Sequence, residues 1–138
     1  MDTTSHWFKS HLKDMPRDEC FQLLESRQVG RIGFVDPDGP VVLPVNYVIF
    51  DENVLIATMP GNSLSSHAVG RPVAFEVDEI DEFNETGWSV LVRGLASVVA
   101  NDELPDADDQ PYPWAEGDRS LVMRISPSHV SGRYLLPA

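Results

Sequence analysis

V-V-L-P-V-N-Y-V-I-F-D-E-N-V-L-I-A-T-M-P-G-N-S-L, residues 41–64, is the stretch on which the reading of this chain turns. Residues 41–50 are mostly β-branched or aromatic and carry no charge, and residues 54–58 form a second apolar run. The joint between them, Asp51-Glu52-Asn53, is a cluster of turn formers, so the pair reads as a β-hairpin. Met59-Pro60-Gly61-Asn62-Ser63 then ends the strand and opens a short helix. A strand that runs through a glycine turn into a helix start presents free backbone N–H groups, which suit a phosphate. The stretch therefore sets a buried sheet surface beside an anion site, a combination fit for a flat, phosphorylated cofactor.

Length and charge narrow the rest. The chain has 138 residues, which predicts one domain. Its net charge of −12 argues against binding nucleic acid or a membrane surface, since both call for a basic patch. Of ten basic residues only Lys9 and Lys13 are lysines and the other eight are arginines, the better bidentate ligands of phosphate. The single cysteine, Cys20, can form neither an internal disulfide nor a thiolate metal cluster and reads as a small buried residue on a helix. With no apolar leader run and no window long enough for a membrane span, a cytoplasmic location is expected.

Outward from the central stretch, residues 1–13 read as an arm or a short docked segment, with residues 14–138 as the domain. Asp14-Met15-Pro16 reads as a helix start with Asp14 as cap, and Cys20, Leu23, Leu24 and Arg27 follow at helical spacing. Residues 29–35 form a strand containing Gly30 and Gly33, which signal close packing or a bend. Residues 63–69 form the short helix, and residues 73–77 another strand that runs on less surely through an acidic tract. Residues 87–100 are the longest apolar strand, bent at Gly94. A loop rich in Pro and Asp spans residues 101–118. Residues 119–125 alternate as a strand, Ser126-Pro127 breaks it, and residues 130–136 make a terminal strand. The sum is a mainly β barrel or sandwich of about six strands, one N-terminal helix and one short helix.

Motifs for direct catalysis are absent. His6, His11, His67 and His129 are scattered without metal spacing, no G-x-S-x-G elbow occurs, and no glycine-rich nucleotide fingerprint is present. Any chemistry falls to a bound cofactor.

Six segments, taken in order, resemble the pyridoxamine 5′-phosphate oxidase-like family, the FMN-binding split β-barrel. They are L-L-E-S-R-Q-V-G-R-I-G-F (23–34), G-P-V-V-L-P-V-N-Y (39–47), I-A-T-M-P-G-N-S-L (56–64), V-A-F-E-V-D (73–78), G-W-S-V-L-V-R-G-L-A (87–96) and P-W-A-E-G-D-R-S-L-V-M-R-I-S-P-S-H-V-S-G-R (113–133). The resemblance implies a homodimer with FMN in a groove at its interface. By motif position Pro44, Val45, Asn46 and Tyr47 lie along the isoalloxazine. Thr58, Gly61, Asn62, Ser63 and Leu64 meet the ribityl chain and phosphate. Glu76, with Val77 and Asp78, lies on the neighbouring strand, Trp88, Ser89 and Val90 form a further wall, and Trp114 and Arg119 reach across from the partner. Relatives often carry a cation where Ser63 stands, so here the phosphate falls to backbone N–H groups, hydroxyls and an arginine, Arg71 or Arg93. The extra C-terminal segment with which the true oxidase holds pyridoxal phosphate has no counterpart, so pyridoxamine oxidation is not expected.

Bland readings accompany these. Trp88 equally fits a core position, and Gly132-Arg133 equally fits a subunit contact. A mid-strand Asn46 demands hydrogen-bond partners and favours a ligand role. The implied function is an FMN-dependent oxidoreductase acting on a small molecule. The alternatives are a deazaflavin F420-dependent reductase, which the scarcity of lysine disfavours, a non-enzymatic flavin or haem binder, and a barrel without cofactor.

Overall fold

Residues 41–50 do not form one strand. In the computed structural model of the protein, which describes residues 9–138, Tyr47 divides them into β3 (Gly39–Asn46) and β4 (Val48–Phe50). β3 pairs antiparallel with β2 (Val29–Asp36) across the Asp-Pro-Asp turn, while β4 pairs with β5 (Asn53–Thr58). The expected hairpin therefore exists only from Val48 onward. Its first half belongs to a different hairpin, because the alternating side chains of residues 41–46 find their neighbours on β2.

The remaining elements are β1 (His11–Met15), α1 (Arg17–Glu25), α2 (Ser63–Ala68), β6 (Pro72–Asp81), β7 (Thr86–Val98) and β8 (Leu121–Leu136). The sheet runs β3-β2-β6-β7-β8-β5-β4, antiparallel throughout, and β1 adds to β8. Its two end strands, β3 and β4, are consecutive in the chain with Tyr47 alone between them. A flat sheet cannot satisfy that connection. The sheet curls until its ends meet, which makes a split β-barrel.

Tyr47 is the clasp at the seam. It is buried, its ring stands edge-on to Phe75 at 4.9 Å, and its hydroxyl donates to the Leu24 carbonyl at 2.5 Å. Its backbone N–H donates to the Gln28 carbonyl at 3.2 Å. Carbonyls at a helix C-terminus lack intrahelical partners, so the seam closes the end of α1 and α1 in turn plugs the barrel. Burial pushes the Tyr47 phenol well above its ordinary range. The core behind it is Leu24, Ile32, Ile56, Phe75, Val77, Val90, Val92 and Ile125, with Cys20 among the fully buried residues, as its sequence setting suggests.

Several boundaries differ from the sequence reading. Among the described residues there are eight strands, not about six. Residues 11–13 of the expected arm lie in β1, paired with β8, while His6, Trp7 and Phe8 fall outside the described residues. Asp14 is not a helix cap. It sits in β1, and Pro16 holds the N-cap position with no side-chain bond. Ser126-Pro127 does not end a strand, because β8 runs straight through. Opposite it, Gly94 marks a bulge where Gly94 pairs with Pro127 and Arg93 with His129, leaving Ser128 as the extra residue. A proline fits at such a bulge because no ladder N–H is required there. A Cβ on Gly94 would lie 2.0 Å from the Ser126 carbonyl oxygen, so the expected bend is a site of backbone contact. Among the described residues no helix is long and apolar enough to cross a membrane.

The clasp makes a quantitative expectation. Tyr47→Phe should cost about 1 kcal/mol through the lost hydroxyl bond, and Tyr47→Ala about 3–5 kcal/mol through the cavity it leaves. Urea denaturation midpoints read both. An alanine variant as stable as the wild type would show that the seam is held elsewhere.

Candidate functional site

Where the barrel splits, the C-terminal end of β3 faces the C-terminal end of β5, and a cavity of about 320 Å³ opens between them. Leu43, Pro44, Val45 and Asn46 of β3 form one wall. Ala57 and Thr58 of β5 form the floor, and Asn62, Ser63 and Leu64 form the turn into α2. The long loop after β7 closes the third side with Pro113, Ala115 and Arg119.

The turn is built from its own side chains. Gly61 adopts φ +78°, a left-handed conformation that L residues rarely hold. That turn delivers Asn62 to the N-cap of α2, where its Oδ1 accepts the Ser65 N–H at 2.8 Å. The Asn62 amide nitrogen donates to the buried Thr58 hydroxyl at 2.9 Å, which ties the turn to β5. Both polar ends of Asn62 are thus spent on architecture. The same holds for Asn46. Its Oδ1 accepts the Trp114 backbone N–H at 2.9 Å, and its Nδ2 donates to the Gln28 carbonyl at 3.4 Å.

Arg119 is different. Among the described residues it is the one charged side chain that lines the cavity, in a chain of net charge −12. One terminal nitrogen donates to the Glu116 carbonyl at 3.3 Å. Its Nε is buried and has no hydrogen-bond partner, and among the described residues no carboxylate pairs with it. A buried guanidinium N–H without an acceptor is costly, and an anion in the cavity would supply one. The apolar wall of Leu43, Pro44 and Val45, the Ser63 hydroxyl and the unpartnered Arg119 donor therefore fit a ligand with a flat apolar body and an anionic end. Among the described residues the cavity lining holds no carboxylate, histidine or cysteine to act as a general base.

The other residues singled out by sequence lie elsewhere. Tyr47 turns into the core and not toward the cavity. Gly61 shapes the turn without lining the cavity. Arg71 is exposed beyond α2 and does not line it either. Val90 is fully buried in the core, Ser89 lies beside it on β7, and Trp88 packs under the Arg27 guanidinium at 5.6 Å. Trp114 is 65 % exposed and meets Asn46 through its backbone alone. Arg119, expected from a partner subunit, lines its own chain's cavity. Pro113 and Ala115 escaped sequence reading because an aperiodic loop gives no signal of which face it presents.

Glu76 sits on the outer face of the sheet, where Arg31 of β2 reaches both it at 3.5 Å and Asp78 at 3.2 Å. Burial, then the hydrogen bond and charge of Asp78, push the Glu76 carboxyl up to about 7 against the pull of Arg31. Arg93 lies on the same outer face, opposite His129, beside an apolar groove of about 620 Å³ lined by Val35, Val42, Ala74 and Leu95.

Comparison with known proteins agrees with this architecture. Residues 16–134 match the pyridoxamine 5′-phosphate oxidase family, and the chain belongs to that family. It is 34 % identical over 125 residues to Rv0080, an uncharacterized protein of Mycobacterium tuberculosis, covering 86 % of this chain and 82 % of that one. Among solved structures it is similar to a candidate pyridoxamine 5′-phosphate oxidase from Corynebacterium glutamicum (30 % identity, TM-score 0.77). It is also similar to an FAD-binding protein from Mycobacterium smegmatis (29 % identity, TM-score 0.70). Each pairing covers 91 % of this chain and 99 % of the other.

The raised Glu76 carboxyl gives a pH dependence. Its folded state favours the proton, so its stabilising contribution is full below the ordinary carboxylate range and is lost as pH rises through about 7. The Tm advantage of Glu76→Gln over wild type should therefore grow between about pH 5 and about pH 8. A Tm difference independent of pH would mean that Glu76 titrates as an ordinary carboxylate.

Proposed function

We propose that the protein binds FMN at the split of the barrel and serves as a flavin-dependent oxidoreductase for a small molecule. The observation that carries this reading is the buried, unpartnered Nε of Arg119 in a cavity with no other charge. The isoalloxazine would lie along Leu43, Pro44 and Val45. The phosphate would take Arg119 and the Ser63 hydroxyl, so a loop arginine does the work that a cation at position 63 does in many relatives. When bound, the flavin would supply hydride or single-electron transfer. The chain's own part is to hold the nucleotide, wall off one face of the ring and neutralise the phosphate. The similarity to an FAD-binding protein supports a flavin, and FAD carries the same ribityl phosphate beside its ring.

A second copy of the chain would complete the groove. The outer face that carries Val35, Val42 and Leu95 leaves them 56, 66 and 51 % exposed, and contiguous exposed apolar surface of this kind marks an interface. In the proposed homodimer two such faces meet, and Val42→Glu should shift sedimentation from dimer to monomer. Wild-type protein that sediments as a monomer at micromolar concentration would refute the pairing.

The cofactor reading is tested by titrating apoprotein with FMN and with riboflavin, which differ only in the phosphate. A phosphate–arginine bond contributes about 1.5–3 kcal/mol, so Arg119→Ala should weaken FMN by about ten- to a hundredfold. Riboflavin should change little. Equal loss for both ligands would remove Arg119 from the phosphate. Binding of F420 or haem in place of FMN by the unaltered protein would overturn the cofactor.

A further inference from the structure

We infer that Asn46 is a positioning residue that sets the phosphate reader in place, and that it acts through the loop and not on the ring. The inference rests on the cavity being the flavin nucleotide site. Asn46 and Arg119 lie at opposite ends of one mechanical connection. The Asn46 side chain is anchored through the Gln28 carbonyl, just before β2, and it holds the loop through the Trp114 N–H at 2.9 Å. Between Trp114 and Arg119 the chain makes local bonds only, from the Arg119 guanidinium to the Glu116 carbonyl and from the Ser120 N–H to the Asp118 carboxylate. A Cβ built on Gly117, at φ +109°, would meet the Met59 sulfur at 3.3 Å, so the loop passes close to the strand-to-helix turn, and among the described residues no hydrogen bond joins the two there. Among the described residues Asn46 therefore supplies the hydrogen bond that ties the Trp114 end of this segment to the barrel, while its other end enters β8 at Leu121.

The consequence is a division of labour. The two asparagines of the cavity are spent on holding backbone, Asn62 on α2 and Asn46 on the loop, and the loop's arginine is left with a buried free donor. Loss of the Asn46 amide frees the loop, and Arg119 then meets the phosphate only after its segment is ordered again, a cost that falls on phosphorylated ligands alone. An Asn46 that touched the isoalloxazine would instead matter equally with and without the phosphate.

The test is a double-mutant cycle of Asn46→Ala and Arg119→Ala, read as the ratio of riboflavin Kd to FMN Kd. Each single change should collapse that ratio about tenfold or more, and the double variant should be scarcely worse than Arg119→Ala. Additive losses, or equal weakening of FMN and riboflavin by Asn46→Ala, would overturn the inference. If Asn46→Ala fails to fold, the bond is cut from its other end. Trp114→Pro deletes the donating N–H, and Trp114→Ala removes the exposed indole but keeps that N–H. The proline variant should lose the FMN preference and the alanine variant should keep it; the same ratio in both would refute the latch. Failure of the wild type to bind any flavin nucleotide defeats the cofactor reading itself, whereas wild-type FMN binding with an unchanged ratio in Asn46→Ala defeats only the inference.

Discussion

Tyr47 joins the two ends of the sheet, and the rest of the molecule follows from that one residue. Because β3 leads into β4 across a single position, the sheet order β3-β2-β6-β7-β8-β5-β4 is possible only as a curled sheet. The phenol of Tyr47 fastens the seam to Leu24 in the last turn of α1, and its backbone N–H fastens it to Gln28 just before β2. Next to the seam the strands diverge, and the cavity forms there because β3 has left its path toward β5. Asn46, one residue before the clasp, takes the same Gln28 carbonyl and extends the fastening to the loop that carries Arg119. The fold constraint and the site are adjacent in the chain.

Electrostatics gives the site its selectivity. An acidic chain repels anions at long range, so a phosphate site must be local and enclosed. The proposed site would meet this with Arg119, whose Nε is buried and unpaired among the described residues and is set among apolar residues and hydroxyls. The other arginines near the fold's centre are engaged elsewhere. Arg31 holds Glu76 and Asp78, while Arg27 pairs with Glu79 and covers Trp88. Among the described residues Arg119 combines a buried Nε free of partners with a place in the cavity lining.

The sequence made the class of fold legible because strands with glycine bends and strong turn chemistry leave a periodic signal. The bend at Gly94 and the turn at Gly61 were readable for that reason, since each requires a missing Cβ or a left-handed φ. The division of residues 41–50 was not readable. A run rich in β-branched and aromatic residues gives the same local signal whether it is one strand or two, and only its pairing partners, β2 on one side and β5 on the other, decide it. The site was half legible. Pro44, Val45, Asn46, Thr58, Asn62, Ser63, Leu64 and Arg119 converge on the cavity, but the roles of the asparagines did not show. Both were read as ligand contacts, and the Asn46 amide is taken up by two backbone groups and the Asn62 amide by the Ser65 N–H and the Thr58 hydroxyl. Arg71 attracted attention by its nearness in sequence to Ser63, yet the phosphate candidate comes from a loop more than fifty residues on, and sequence distance carries no information about that approach.

The central claim is that a nucleotide phosphate sits at the split of the barrel against Arg119. The most direct measurement is a crystal structure of the protein with FMN. The account predicts the phosphate within hydrogen-bond reach of Arg119 Nε and the Ser63 hydroxyl, with the isoalloxazine against Leu43, Pro44 and Val45. A phosphate bound instead by Arg71 or by Arg93 on the outer face, with the cavity at the split left to solvent, would contradict it.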